Sequence, residues 1–253
     1  MLAPVRFSNL VHIGRSPAHY LHALHNPVDP TPAMRVGTAA HAHVLGAWKN
    51  CAVWTGGIRR GKDWEAFKAA HAGIEIVNEA EDETGRAIAA AVYADPHAAE
   101  LLSRATHREE EIAWSIGDRA CMGRPDAFGD GVLVDLKITH DASERRFPWH
   151  AIGRGWCAQP DWYANGLRAN GHEIDVAYLI AAEARPPHVV QVWEVTPAAL
   201  LMGAKTWRLW WERLMQCEES DVWPGYSLRI LPLEPPEDFG DVALTVAGEE
   251  VEL

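Results

Sequence analysis

The sequence predicts an α/β (α+β) domain with a central mixed β-sheet flanked by helices. Three observations predict it. Helix-like patterns fill residues 16 to 104, short β-rich runs with glycine turns cluster at 108 to 138, and helix and strand patterns then alternate to residue 217. The chain has 253 residues, of which 48% are apolar, which suits one large globular domain with a sizeable core.

Taken in order, "SPAHYLHALH" (16–25) is a short helix, with Ser16 placed to cap it and Pro17 suited to its first turn. "NPVDPTPAM" is a loop broken by prolines, and "RVGTAAHAHVLGAWKN" (35–50) is a second helix. "TGGIRRGKDWEAFKAAHAG" reads as a loop and a helix ending near Gly73, followed by helices over 79–94 and 96–104. "REEEIAWSIGDRACMGRPDAFGDGVLVDLKI" (108–138) reads as three strands with tight turns at Gly117-Asp118 and Asp130-Gly131. Residues 144 to 170 are expected to be helical, and "DVAYLIAAEA" and "HVVQVWEV" to be strands. Thr196 and Pro197 start a long helix, on which Trp207, Trp210 and Trp211 suit a core or a subunit interface. The expected domain spans 1–226, and 227–253 is an acidic, proline-containing arm.

The bulk chemistry excludes several classes. Cys51, Cys121, Cys157 and Cys217 are far apart with no CxxC pair, which argues against a zinc ribbon, a disulfide framework or an iron–sulfur cluster. A formal net charge of −12 argues against a passive DNA-coating protein, while a cluster of metal-binding carboxylates would add to that surplus. No stretch approaches the roughly 20 apolar residues of a membrane span. The start, "MLAPVRFSNLVHIGR", lacks the features of a signal peptide, so a soluble cytoplasmic protein is expected.

The chemistry concentrates in "GRPDAFGDGVLVDLKIT" (123–139). With Asp130-Gly131 as a two-residue hairpin turn, pairing runs outward as Gly129–Val132, Phe128–Leu133 and Ala127–Val134, which sets Asp126 opposite Asp135. Alternation then puts Asp126, Asp135 and Lys137 on one face and Val132, Val134, Leu136 and Ile138 on the other. Opposed residues have Cβ atoms about 4.5–5.5 Å apart, and like charges there are destabilising. Lys137 supplies one counter-charge, and a hard divalent cation such as Mg²⁺ or Mn²⁺, which prefers oxygen ligands, would supply the rest. Such an ion polarises a phosphoryl oxygen and acidifies bound water, and Lys137 can orient that water or stabilise developing charge. The assembly suits phosphodiester hydrolysis; a surface hairpin with scattered charges is the plainer reading of the same residues.

Pro125-Asp126, eight residues, then Asp135-Leu136-Lys137 resembles the PD-(D/E)XK nuclease signature. "RVGTAAHAHVLG" resembles the Gly-x-x-x-His helix of the RecB-like branch, with His41 in the histidine's place, and "CAQPDWYANGL" resembles its Gln-x-x-x-Tyr helix, giving Gln159 and Tyr163. With "SPAHYLHAL", "VWTGGIRRGKDWEAFKAAHAG" and "YLIAAEARPPHVVQVWEV", the chain from about 8 to 226 resembles the exodeoxyribonuclease VIII (RecE-type) nuclease domain of phage and prophage recombination systems. Ile138 stands where the family usually has threonine, and Pro160 falls between Gln159 and Tyr163.

The resemblance implies a Mg²⁺-dependent exonuclease, with Mn²⁺ able to substitute, that digests one strand of a double-stranded DNA end from 5′ to 3′. It implies a ring-shaped homo-oligomer and a single-strand annealing protein that uses the overhang. Asp126 and Asp135 would hold the metal with the Leu136 carbonyl and with His41 or Glu111, Lys137 would act on the water, and Gln159 and Tyr163 would support the site. Arg59, Arg60 and Lys62, after two glycines, suit phosphate contact or a solvated loop, and Arg124, placed across from Lys137, is a further phosphate candidate. The alternatives are a structure-specific or nicking endonuclease on the same fold and a non-catalytic DNA-binding module.

Overall fold

A computed structural model describes residues 2–227, 229–233, 244–246 and 249–251. In chain order the helices are α1 (Phe7–Leu10), α2 (Pro17–His25), α3 (Pro32–Leu45), α4 (Lys62–Ala70), α5 (Glu79–Ala94), α6 (Pro96–Arg104), α7 (Phe147–Gly153), α8 (Gln159–Ala169) and α9 (Pro197–Ser220). The strands are β1 (Cys51–Trp54), β2 (Glu75–Asn78), β3 (His107–Arg108), β4 (Ile112–Ile116), β5 (Arg119–Gly123), β6 (Ala127–Gly129), β7 (Val132–Thr139), β8 (Val176–Glu183), β9 (Val190–Glu194), β10 (Leu244–Val246) and β11 (Glu249–Val251).

The expected central mixed sheet is present, with strand order β3-β6-β7-β8-β9. β7 and β8 run parallel, joined by a crossover that carries α7 and α8, and the other neighbours are antiparallel. On one face Val132, Val134, Leu136 and Ile180 meet α3, α5 and α6 through Ala40, Val44, Ile88 and Leu101. Phe128, Leu133 and Leu179, on the other face, meet α8 and α9 through Trp162, Trp207, Trp211 and Leu214. Both faces of β7 are thus covered, and a polar side chain on it is buried unless a cleft opens beside it.

Four sequence expectations are corrected. The first two strands of the 108–138 run both divide: β3 and β6 lie in the main sheet, while β4 and β5 pair in a separate hairpin. The 144–170 helix divides at Gly155, whose φ of 71° ends α7 before Pro160 opens α8. The helix expected over 35–50 starts earlier, capped by Thr31, and stops at Leu45 before Gly46 in the left-handed region. β1 and β2, parallel to each other, were not expected; both are only four residues long. Leu201 and Leu209, unlike Trp207 and Trp211, face solvent. The 227–253 arm falls largely outside the described residues; within it β10 and β11 pair antiparallel. Among the described residues no helix is long and apolar enough to cross a membrane.

The close approach of α3 and α5 sets the position of His41. A Cβ on Gly85 would stand 2.6 Å from Ala39 Cβ and 2.8 Å from the Ala40 nitrogen, so the crossing tolerates no side chain there. The start of α5 is fixed by Asn78 and Glu81 in a reciprocal cap, and Glu81 also holds Arg35 of α3 at 2.7 Å. Gly85→Ala should therefore cost about 1–3 kcal/mol, read as a lower urea midpoint at constant slope.

Candidate active site

The β6–β7 turn fixes the site's register. Asp130 and Gly131 both have positive φ, as this two-residue turn requires, and Ala127, Phe128 and Gly129 pair with Val134, Leu133 and Val132. Asp126 stands immediately before β6, and its Oδ2 accepts a 2.7 Å hydrogen bond from the Leu136 backbone N–H. Asp135 is 3% exposed. Its Oδ2 lies against the Lys137 ammonium as an ion pair and receives no well-aligned hydrogen bond among the described residues. Asp135 and Lys137 face the α8 side of the sheet together with Leu133.

Lys137 is held from three directions. Nζ pairs with Asp135, donates to Gln159 Oε1 at 2.8 Å, and stands 5.5 Å from the Trp156 ring centroid. Gln159 Nε2 in turn donates to the Tyr163 hydroxyl at 3.2 Å. Pro160 starts α8 rather than kinking it, so Gln159 and Tyr163 keep the shared face that the i, i+4 spacing predicts. Burial keeps the Tyr163 phenol protonated, with Asp135 pushing in the same direction.

α3 brings His41 to the opposite side of the acids. Its Nε2 is 3.1 Å from the Leu136 carbonyl oxygen, and its Nδ1 is 3.6 Å from Asp126 Oδ1 and 3.7 Å from Glu109 Oε1. Burial pulls the His41 pKa down, but Asp126 and Glu109 more than offset it, so the imidazole holds its proton above the usual range. The Asp126 carboxyl is pushed up to about 6, first by burial and then by Asp135, against the opposing pull of His41, Lys137 and the Leu136 N–H. His43, two residues along, instead pairs with Asp82 at 2.8 Å and packs edge-on to Trp48.

Glu111 is not in this group. Its half-exposed carboxylate pairs with Arg6 at 2.9 Å, and the acid beside His41 is Glu109. The reason is local: Glu109 has φ of 51°, so the chain leaves the main sheet after β3, and Glu109 rather than Glu111 is turned toward His41. Glu109 N–H donates to the Asp126 carbonyl at 3.0 Å, which ties the two acids' backbones together. Arg124 does not pair across from Lys137, because the strand breaks before Ala127; its guanidinium holds Glu109 Oε2 at 2.7 Å and Asn50 Oδ1 at 2.9 Å on the cleft wall. Arg59 is engaged with the Ile76 carbonyl and Glu81, and none of Arg59, Arg60 and Lys62 lines the cleft.

The cleft has a volume of about 780 Å³ and holds Asp126, Asp135, Lys137, His41, Glu109 and Gln159 along its lining. Sequence reasoning missed Glu109, and also His150, Arg154 and Trp156, which lie on this wall beside Lys137. The ligand atoms of His41, Glu109 and Asp126 lie within 4.8 Å of one another. The Glu109 and Asp126 carboxylates, the His41 imidazole and the Leu136 carbonyl beside it form a donor set that fits a hard divalent cation, and Asp135 lines the same cleft outside that group of three. Glu109→Gln should weaken Mn²⁺ binding at least about tenfold in calorimetric titration, and Glu111→Gln should leave it unaltered.

The model of a family described as a PDDEXK-like domain of unknown function (DUF3799) matches residues 6–230. No curated protein matches the chain. Among solved structures, a candidate exonuclease from Eubacterium rectale superposes with a TM-score of 0.63 over 92% of this chain and 91% of that one; at 14% identity the likeness is one of fold. The structure of SSO0001 aligns with 80% of this chain and 85% of its own at 11% identity, with a TM-score of 0.28 that carries no argument.

Proposed function

The chain belongs to the PDDEXK-like family DUF3799, and from that premise we propose that it is a Mg²⁺-dependent DNA exonuclease of the RecE type. It hydrolyses phosphodiester bonds at double-stranded ends, 5′ to 3′, and leaves a single-stranded overhang for recombination. The observation that carries this reading is the meeting of Asp126, Asp135, Lys137, Glu109 and His41 in one cleft. The likeness in fold to the candidate exonuclease supports an end-directed activity. The same reading assigns a homo-oligomeric ring and a single-strand annealing protein as the consumer of the overhang.

Asp126, Asp135, Glu109, His41 and the Leu136 carbonyl would hold the cation, which when bound supplies a polarised phosphoryl oxygen and a more acidic water. Arg124 fixes the Glu109 carboxylate, and the Leu136 N–H fixes that of Asp126. Lys137, aimed by Gln159 and steadied by Trp156, orients the attacking water and stabilises charge on the phosphate. Tyr163 holds Gln159, so it acts by positioning.

The test is digestion of end-labelled linear duplex and a closed circle of the same sequence, with Mg²⁺. Mononucleotide release from the linear DNA alone supports the proposal. Nicking of the circle would replace it with an endonuclease, and absence of cleavage from both with Mg²⁺ or Mn²⁺ would overturn it.

A further inference from the structure

We propose that α7 carries a stacking platform for single-stranded nucleic acid beside the active site, in which Trp149 and Ile152 take the faces of unpaired bases and Arg145, Arg146 and Arg154 take their phosphates. The inference rests on the nuclease reading for the strand's identity, and on α7 itself for the surface.

The helix has three distinct sides. Phe147 and Ala151 are buried in the core, and Phe147 stacks on Trp193 at 5.2 Å. His150 and Arg154, one turn apart, line the catalytic cleft. Trp149 and Ile152 point outward, 77% and 50% exposed. A tryptophan so exposed contributes little to folding, and an indole face suits any base.

Charge singles out nucleic acid as the occupant. From 144 to 154 the chain carries Arg145, Arg146 and Arg154 against Glu144, in a protein whose formal net charge is −12. None of the three arginines makes an ion pair among the described residues, and all are exposed. Arg154 also joins the platform to the chemistry. Its guanidinium stands 5.6 Å from the centroid of the Trp156 ring, against which the Lys137 ammonium also rests at 5.5 Å. A strand whose phosphate reaches Lys137 therefore leaves the cleft past Arg154 and meets Trp149 next around the helix.

The experiment is fluorescence anisotropy of a labelled 12-nucleotide single strand with the full chain, in EDTA at low salt. Trp149→Ala should weaken binding about five- to a hundredfold, and Trp149→Phe should retain most of it. The double change Arg145→Gln and Arg146→Gln should lower the log–log salt slope by about 1.4. Single-strand affinity unaltered by Trp149→Ala in a folded protein overturns the platform. A change in sedimenting mass with no change in affinity overturns it too, and makes α7 a contact between copies. Because binding is read without turnover, an inactive protein that still binds through Trp149 overturns the proposed activity and leaves the platform standing.

Discussion

Asp135→Ala should abolish Mg²⁺-dependent digestion of DNA, a loss of at least about 10³-fold, or roughly 4 kcal/mol of transition-state stabilisation. Asp135 is the more deeply buried of the two acids on the ribbon, and its Oδ2 has no fixed partner besides Lys137. Its removal takes away both an anionic donor to the cation and the counter-ion of the lysine. The fold should survive, because the Lys137 ammonium keeps Gln159 Oε1 and the Trp156 face, and the side chain lost lies at the cleft rather than in either apolar cluster. Asp135→Asn should be equally inactive, since an amide brings no charge. Lys137→Ala should lose turnover but retain Mn²⁺ binding, a split that assigns the acids to the metal and the lysine to the water. Digestion by Asp135→Ala at the wild-type rate, with circular dichroism intact, would remove the mechanism.

How much of this was legible in the sequence depends on where chemistry is local. Asp130-Gly131 dictates its turn, the turn dictates the register of Ala127–Gly129 on Val132–Val134, and Asp126, just before that ladder, lines one cleft with Asp135 and Lys137. The i, i+4 spacing of Gln159 and Tyr163 likewise survives into a hydrogen bond. What was not legible depends on chain reversals outside regular elements. Glu109 turns inward through a left-handed residue that no period-2 pattern shows, so Glu111 looked equivalent to it. Arg124 seemed a phosphate contact because nothing in sequence announces that Glu109 and Asn50 would stand beside it. The division of 144–170 is signalled locally, by Gly153, Gly155 and Pro160, and reading the segment as one helix loses with it the placement of His150, Arg154 and Trp156 on the cleft wall. Tertiary geometry, rather than propensity, decided the placing of Glu109 and Arg124.

The same buried acids predict an unusual dependence of stability on pH. Asp126 is raised from an ordinary 3.8 to about 6, first by burial and then by Asp135. An acid that binds its proton more tightly in the folded state stabilises the fold at low pH, and that stability is lost as pH rises from the unfolded value through the folded one. The displacement is worth up to about 3 kcal/mol, which the metal-free protein forgoes above pH 6. His41 carries the same sign: its pKa is raised, so its contribution is present below its ordinary value and is lost as pH rises through the folded one. Metal-free protein should therefore be more stable near pH 5 than near pH 8. Asp126→Asn keeps an acceptor for the Leu136 N–H and removes the buried charge. It should raise stability at pH 8 by about 1–3 kcal/mol, the lower figure reflecting the support His41 loses, with the gain vanishing below about pH 4. Excess divalent cation should close or invert that gap: at a hundred times its dissociation constant it stabilises the wild type by about 2.7 kcal/mol, and the variant, short of a ligand, gains little. Urea titrations at both pH values, with EDTA and with Mn²⁺, read all four states. Parallel pH profiles for the two proteins would show that Asp126 is not the acid raised by burial, and equal cation stabilisation would show that it is not a metal ligand.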